Sequence, residues 1–157
     1  MRPDVLLTAE HKYLSQFGAG NPTILVVEDS DDTRHVLSLE LQHRGCRVLT
    51  AADGCEAVET ALSMRPDLIL MDLNLPRLDG LAATEQIRGH SEMDGVPIIA
   101  VTAFDTYGIR EAALEAGCQD YLLKPLDLDA LERALRGVHP AFDFARDESA
   151  GSSHGTE

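Results

Sequence analysis

Five short runs of β-branched and aliphatic residues recur along the chain, at Thr23–Val27, Cys46–Thr50, Leu68–Met71, Val96–Thr102 and Gln119–Leu123. Between and after them come stretches with helical spacing. Leu37/Leu41, Val58/Leu62 and Ile109/Ala113 fall at i, i+4, and Leu128/Leu131/Leu135 at i, i+3, i+7. Turn residues punctuate the links, among them Asp53-Gly54, Arg65-Pro66-Asp67, Asp79-Gly80 and Ala116-Gly117. Strands that each lead into a helix cannot pair as hairpins. They require a parallel sheet covered on both faces, and right-handed crossovers make it a doubly wound (βα)5 α/β sheet of five strands. The runs ILVV, LILM and PIIAV are apolar enough for central strands, whereas the mixed run Cys46–Thr50 fits an edge.

At 157 residues the chain suits one domain with a core of its own. The alternation occupies residues 22–139. Residues 1–21 read as an N-terminal extension with a short helical stretch at Thr8–Phe17, and residues 140–157 as an acidic, Gly/Ser-rich disordered tail. Thirteen Lys and Arg oppose 27 Asp and Glu, a net charge of -14, so the surface repels phosphate backbones and anionic lipid; neither nucleic acid nor membrane is an expected partner. Trp is absent and aromatics make up 4%, which leaves no base-stacking platform. Val5-Leu6-Leu7 is too short for a signal peptide or a membrane span. Cys46, Cys55 and Cys118 are odd in number and widely spaced, the pattern of packing thiols in a reducing cytoplasm. The six histidines show no zinc spacing.

Ligands of such sheets bind beyond the carboxyl ends of the strands. There the first strand ends in Glu28-Asp29, the third in Asp72, the fourth in Thr102 and the fifth in Lys124-Pro125. Two carboxylates about 4 Å apart repel by roughly 4 kcal/mol at an effective dielectric near 20. A divalent cation removes that repulsion, and an all-oxygen site beside a phosphoryl group suits Mg²⁺. Lys124, the only lysine after Lys12, adds a compact positive charge, and Thr102 a hydroxyl donor. The set is suited to accept a phosphoryl group, with Asp72 on the central strand as nucleophile. Each member taken alone has a plainer reading: a strand-end carboxylate, a β-branched strand residue, a surface lysine. Asp31 and Asp32 are read as a solvated helix start that complements the helix dipole.

Four segments, ILVVEDS (Ile24–Ser30), LILMDLNLPRLDG (Leu68–Gly80), PIIAVTA (Pro97–Ala103) and GCQDYLLKP (Gly117–Pro125), resemble the receiver domain of two-component response regulators, over about Thr23 to Val138. The resemblance implies the flavodoxin-like receiver fold and a bacterial phosphorelay protein. Carried over by position, it implies Asp72 as phosphoacceptor, with Glu28, Asp29, Asp72 and the backbone carbonyl of Asn74 binding Mg²⁺, for which Mn²⁺ is a substitute. It makes Thr102 the switch hydroxyl, Lys124 the phosphate-binding lysine, Tyr121 the switch aromatic, and Lys124-Pro125 a cis peptide. Glu28 stands where Asp is also common, and its longer arm would contact the metal through water. Phe104 sits two residues past Thr102, a position that in this family tunes loss of the acyl phosphate.

The expectation is therefore a cytoplasmic, stand-alone, single-domain response regulator. It would take phosphate from a sensor histidine kinase or phosphotransfer protein and signal by protein contact with a downstream target or pass the group on, as a monomer or a phosphorylation-dependent dimer. It would be an acceptor with slow autodephosphorylation and no turnover activity. Two other classes stay open: an Asp-nucleophile phosphatase of the dehalogenase-like kind, against which Asn74 stands where those enzymes carry a second Asp, and an inactive pseudo-receiver scaffold. Turnover of a small phosphorylated metabolite marks the first; absence of Mg²⁺ dependence and of label transfer marks the second.

Overall fold

The computed structural model describes residues 21–138 and Phe142. Five strands, β1 (Thr23–Val27), β2 (Arg47–Ala51), β3 (Leu68–Asp72), β4 (Ile98–Thr102) and β5 (Asp120–Leu123), form one parallel sheet in the order β2-β1-β3-β4-β5. Each is followed by a helix: α1 (Asp31–His43), α2 (Gly54–Met64), α3 (Gly80–Arg88), α4 (Ile109–Ala116) and α5 (Leu128–Val138). A 3₁₀ turn at Ser91–Met93 precedes β4. The doubly wound five-stranded sheet expected from the alternation is the one observed, with β2 at an edge and β3 at the centre.

Strand periodicity assigns alternate residues to opposite faces. In β1, Ile24 and Val26 join Leu37, Leu41, Leu131 and Leu135 in the layer under α1 and α5. Leu25 and Val27 face the other way, with Ala57, Ala61, Ala83, Ile87 and Ala113 of α2, α3 and α4. Every residue of β3 and β4 is buried. Burying one such side chain favours folding by roughly 1.5–3 kcal/mol, so a one-residue slip would cost several at once. The helix starts are fixed locally. Ser30, Asp53 and Asp79 accept hydrogen bonds from the backbone N–H of Thr33, Glu56 and Ala82, satisfying donors that a helix start leaves unpaired.

Boundaries move by a residue or two from the sequence reading. β4 begins at Ile98, after Pro97, which has no N–H to give to the ladder. β3 runs on through Asp72. Cys46 and Cys118 are buried free thiols and Cys55 is partly exposed. Among the described residues, no helix is long and apolar enough to cross a membrane. The N-terminal extension with its Thr8–Phe17 stretch lies outside the described residues, as does nearly all of the segment from residue 140. Phe142 is the exception. Its side chain is fully buried in the α1/α5 layer, because the apolar seam between those helices offers a large aromatic ring more than water does.

Candidate functional site

The carboxyl edge of the sheet gathers the predicted residues. Asp72 closes β3 and is 3% exposed. Its Oδ1 accepts from the Asn74 N–H at 2.9 Å and its Oδ2 from Lys124 Nζ at 3.0 Å. Lys124, just past β5, also donates to Glu28 Oε1 at 2.8 Å. Its position is set by its own backbone N–H, bonded to the Thr102 carbonyl at 2.8 Å, and the Lys124-Pro125 peptide is cis.

Glu28, directly after β1, is buried. Its second carboxylate oxygen accepts from the Ser30 N–H at 3.1 Å, and its carbonyl from Arg34 at 2.7 Å. Asp29 beside it is exposed. Carboxylate oxygens of Glu28, Asp29 and Asp72 lie within 4.8 Å of one another. Asp31 and Asp32 are exposed in the first turn of α1, as a solvated helix start requires.

Electrostatics follow from the burial. Loss of water raises the Asp72 pKa, and the Glu28 charge adds to that, against the lowering effect of the Asn74 N–H and Lys124. Burial works against the Lys124 charge, yet the two carboxylates outweigh it and raise the pKa. The nest thus holds three acids against one ammonium. Its donors are hard oxygens and it is short of positive charge, which fits a small divalent cation.

Thr102 closes β4, is 1% exposed, and accepts a hydrogen bond from the Phe104 N–H at 3.1 Å. Tyr121 stands opposite Ala100 in the β4–β5 pairing and packs against the α2–α4 layer; Thr102, two residues beyond Ala100, shares that face. The Tyr121 hydroxyl donates to the Phe104 carbonyl at 3.2 Å. Phe104 itself is 55% exposed.

Several contacts escaped the sequence reading. Arg34 bonds the Glu28 carbonyl, Arg110 lies over the Tyr121 ring, and Arg77, in the loop that carries Asn74, reaches Asp53. A cavity of about 580 Å³ opens between α1 and α5, lined by Val36, Leu37, Leu126 and Leu128 and reaching Asp72 and Lys124.

A parallel sheet of this order, with an acidic nest and one lysine at its carboxyl edge, defines a receiver-type signalling domain. The family model for the response regulator receiver domain matches residues 24–136, and the chain belongs to that family. It is 41% identical over 129 residues to the response regulator MprA of Mycobacterium ulcerans, covering 82% of this chain and 55% of that protein. The chain therefore spans about half the length of the curated relatives it matches. Among solved structures, the receiver domain of the sensor histidine kinase PA1611 from Pseudomonas aeruginosa, with a magnesium ion coordinated in its active site cleft, is 44% identical with a TM-score of 0.70 over 75% of this chain and 97% of that one. The chemotaxis protein CheY4 of Vibrio cholerae is 31% identical, with a TM-score of 0.72 over 76% and 99%.

Proposed function

We propose that this receiver domain accepts a phosphoryl group on Asp72 from a phosphohistidine of a sensor kinase or phosphotransfer protein. The observation that carries this reading is the bridging of Glu28 and Asp72 by Lys124 beside the exposed Asp29. Asp29, Asp72 and the Asn74 carbonyl would hold Mg²⁺, or Mn²⁺ in its place, directly. Both Glu28 oxygens already accept hydrogen bonds, from Lys124 and Ser30, which supports contact through water. When bound, the cation offsets charge on the transferring oxygens.

The remaining work belongs to the protein. A buried carboxylate with raised basicity is a better nucleophile than a solvated one. One Asp72 oxygen bonds to phosphorus as the phosphorus–nitrogen bond of the donor breaks, and the departing imidazole leaves with its electron pair. Lys124 would follow one phosphoryl oxygen, and the Thr102 hydroxyl, which accepts from the Phe104 N–H in this structure, would donate its proton to a second. The product is an altered surface around α4, β5 and α5, read by a target protein, by a second copy in a dimer, or by the next carrier in a relay. Such a domain is an acceptor and not a turnover enzyme.

Acetyl phosphate labelling tests the reading. The chain should take up one phosphoryl group in a reaction suppressed by chelation, and Asp72→Ala should take up none. Label persisting in the variant would overturn the assignment, and sustained release of phosphate from a small metabolite would favour the phosphatase class.

A further inference from the structure

Phe104 is tied at both ends of its backbone, to Thr102 and to Tyr121, the switch hydroxyl and switch aromatic that the receiver resemblance implies. Its N–H donates to Thr102 Oγ1 at 3.1 Å and its carbonyl accepts from the Tyr121 hydroxyl at 3.2 Å. The loop that begins there leads into α4, and in the first turn of that helix the Arg110 guanidinium sits 5.9 Å from the centre of the Tyr121 ring. That distance is within reach of a cation–π attraction. One aromatic side chain on β5 therefore holds both ends of the β4–α4 loop, its hydroxyl at residue 104 and its ring face at residue 110.

We infer that Arg110 is a positioning residue for the switch, holding the Tyr121 ring in the arrangement in which its hydroxyl reaches the Phe104 carbonyl and so favouring the unphosphorylated state. The inference rests on the phosphoacceptor reading above. When the Thr102 side chain turns to donate to a phosphoryl oxygen, its Oγ1 moves away from the Phe104 N–H, and the loop loses its first tie. Departure of Tyr121 from Phe104 then breaks the second tie and the Arg110 contact together. An interaction present in one state only shifts the equilibrium by its own strength, and exposed cation–π pairs correspond to about two- to fivefold in an equilibrium constant. Arg110 acts as a brake of that size on activation.

The test uses the full chain and beryllium fluoride with Mg²⁺ as the phosphoryl mimic, with affinity measured by calorimetry and fluorine NMR. Arg110→Gln should bind beryllium fluoride about two- to fivefold more tightly, with Mg²⁺ affinity unchanged. Arg110→Lys, which keeps a cation, should return toward the starting value. In a Tyr121→Ala background the Arg110→Gln effect should vanish, since the ring it acts on is gone. Without Mg²⁺ or mimic, the Arg110 side-chain protons should carry an upfield ring-current shift that Tyr121→Ala removes. Equal beryllium fluoride affinity in Arg110→Gln, an effect that survives loss of the ring, or a parallel change in Mg²⁺ affinity would each overturn the inference while leaving the phosphoacceptor reading intact. Failure of the unaltered chain to bind the mimic would overturn the phosphoacceptor reading, and the inference with it.

Discussion

Gly80 lies flush against the backbone of Asp72: a Cβ at that position would stand 2.3 Å from the Asp72 carbonyl oxygen and 2.7 Å from the Leu73 Cα. The Gly80 N–H also donates to the Leu73 carbonyl at 3.1 Å. The start of α3 is thereby packed onto the end of β3, and the loop between them, which carries Asn74, is closed by that contact. Gly80→Ala should force the strand end and the helix apart by backbone movement. The expected outcome is a loss of about 1–3 kcal/mol, the range typical of overpacking, together with weaker Mg²⁺ binding, read by denaturant titration and by calorimetry. Unchanged stability and metal affinity would show that the loop tolerates the displacement.

Asp72 gives the stability of the metal-free fold a defined pH dependence. Its folded pKa is raised above the ordinary 3.8, chiefly by burial and then by Glu28. An acid with a raised folded pKa contributes stability that is fully present below its unfolded pKa and is lost as pH rises through the folded value. In chelator, Asp72→Asn should therefore be more stable than the unaltered chain at neutral pH, with the gap closing as the buffer approaches pH 3.8. Saturating Mg²⁺ should narrow the neutral-pH gap by binding the unaltered chain in preference. The raised pKa of Lys124 moves its own loss of charge further into the alkaline range, away from this window. Melting curves across pH measure all three effects.

Arg88, the last residue of α3, joins three segments at the opposite edge of the sheet. It donates to the Gly117 carbonyl at 3.0 Å, the Met93 carbonyl at 2.7 Å and Gln119 Oε1 at 3.1 Å, and Gln119 Oε1 in turn accepts from the Ile98 N–H. Its stem lies over Gly117, at φ +118, where a Cβ would meet Arg88 Cγ at 2.6 Å. Arg88→Ala leaves partly buried acceptors without their donor and should cost on the order of 2–3 kcal/mol. Arg88→Lys should recover little of it, since an ammonium cannot fork to three acceptors. Urea denaturation distinguishes these outcomes.

Phe142 completes the α1/α5 layer from beyond the end of α5. Replacing it with Ala should destabilise the fold by about 3–5 kcal/mol, as for other buried aromatic rings. A chain ended at residue 139 should show a similar loss. A difference below about 0.5 kcal/mol, the range of ordinary surface substitutions, would show that the ring contributes nothing to the core.

The amino-acid order by itself determined the sheet, because strand and helix periods are local and each run declares its own faces. It also placed Glu28, Asp29, Asp72, Thr102 and Lys124 at one edge, since a parallel sheet puts every strand's carboxyl end on the same side. What it left undetermined was which of those groups bond to each other. Lys124 reaches Glu28 across 96 positions and Asp72 across 52, and Arg44 meets Glu132 across 88. Such pairs depend on how neighbouring helices and loops settle on the sheet, and no spacing along the chain encodes that. The same holds for Arg110 over Tyr121, Arg88 among three loops, and Phe142 in the seam between α1 and α5. Each is an ordinary residue in sequence, given its role by neighbours that only the packed fold supplies.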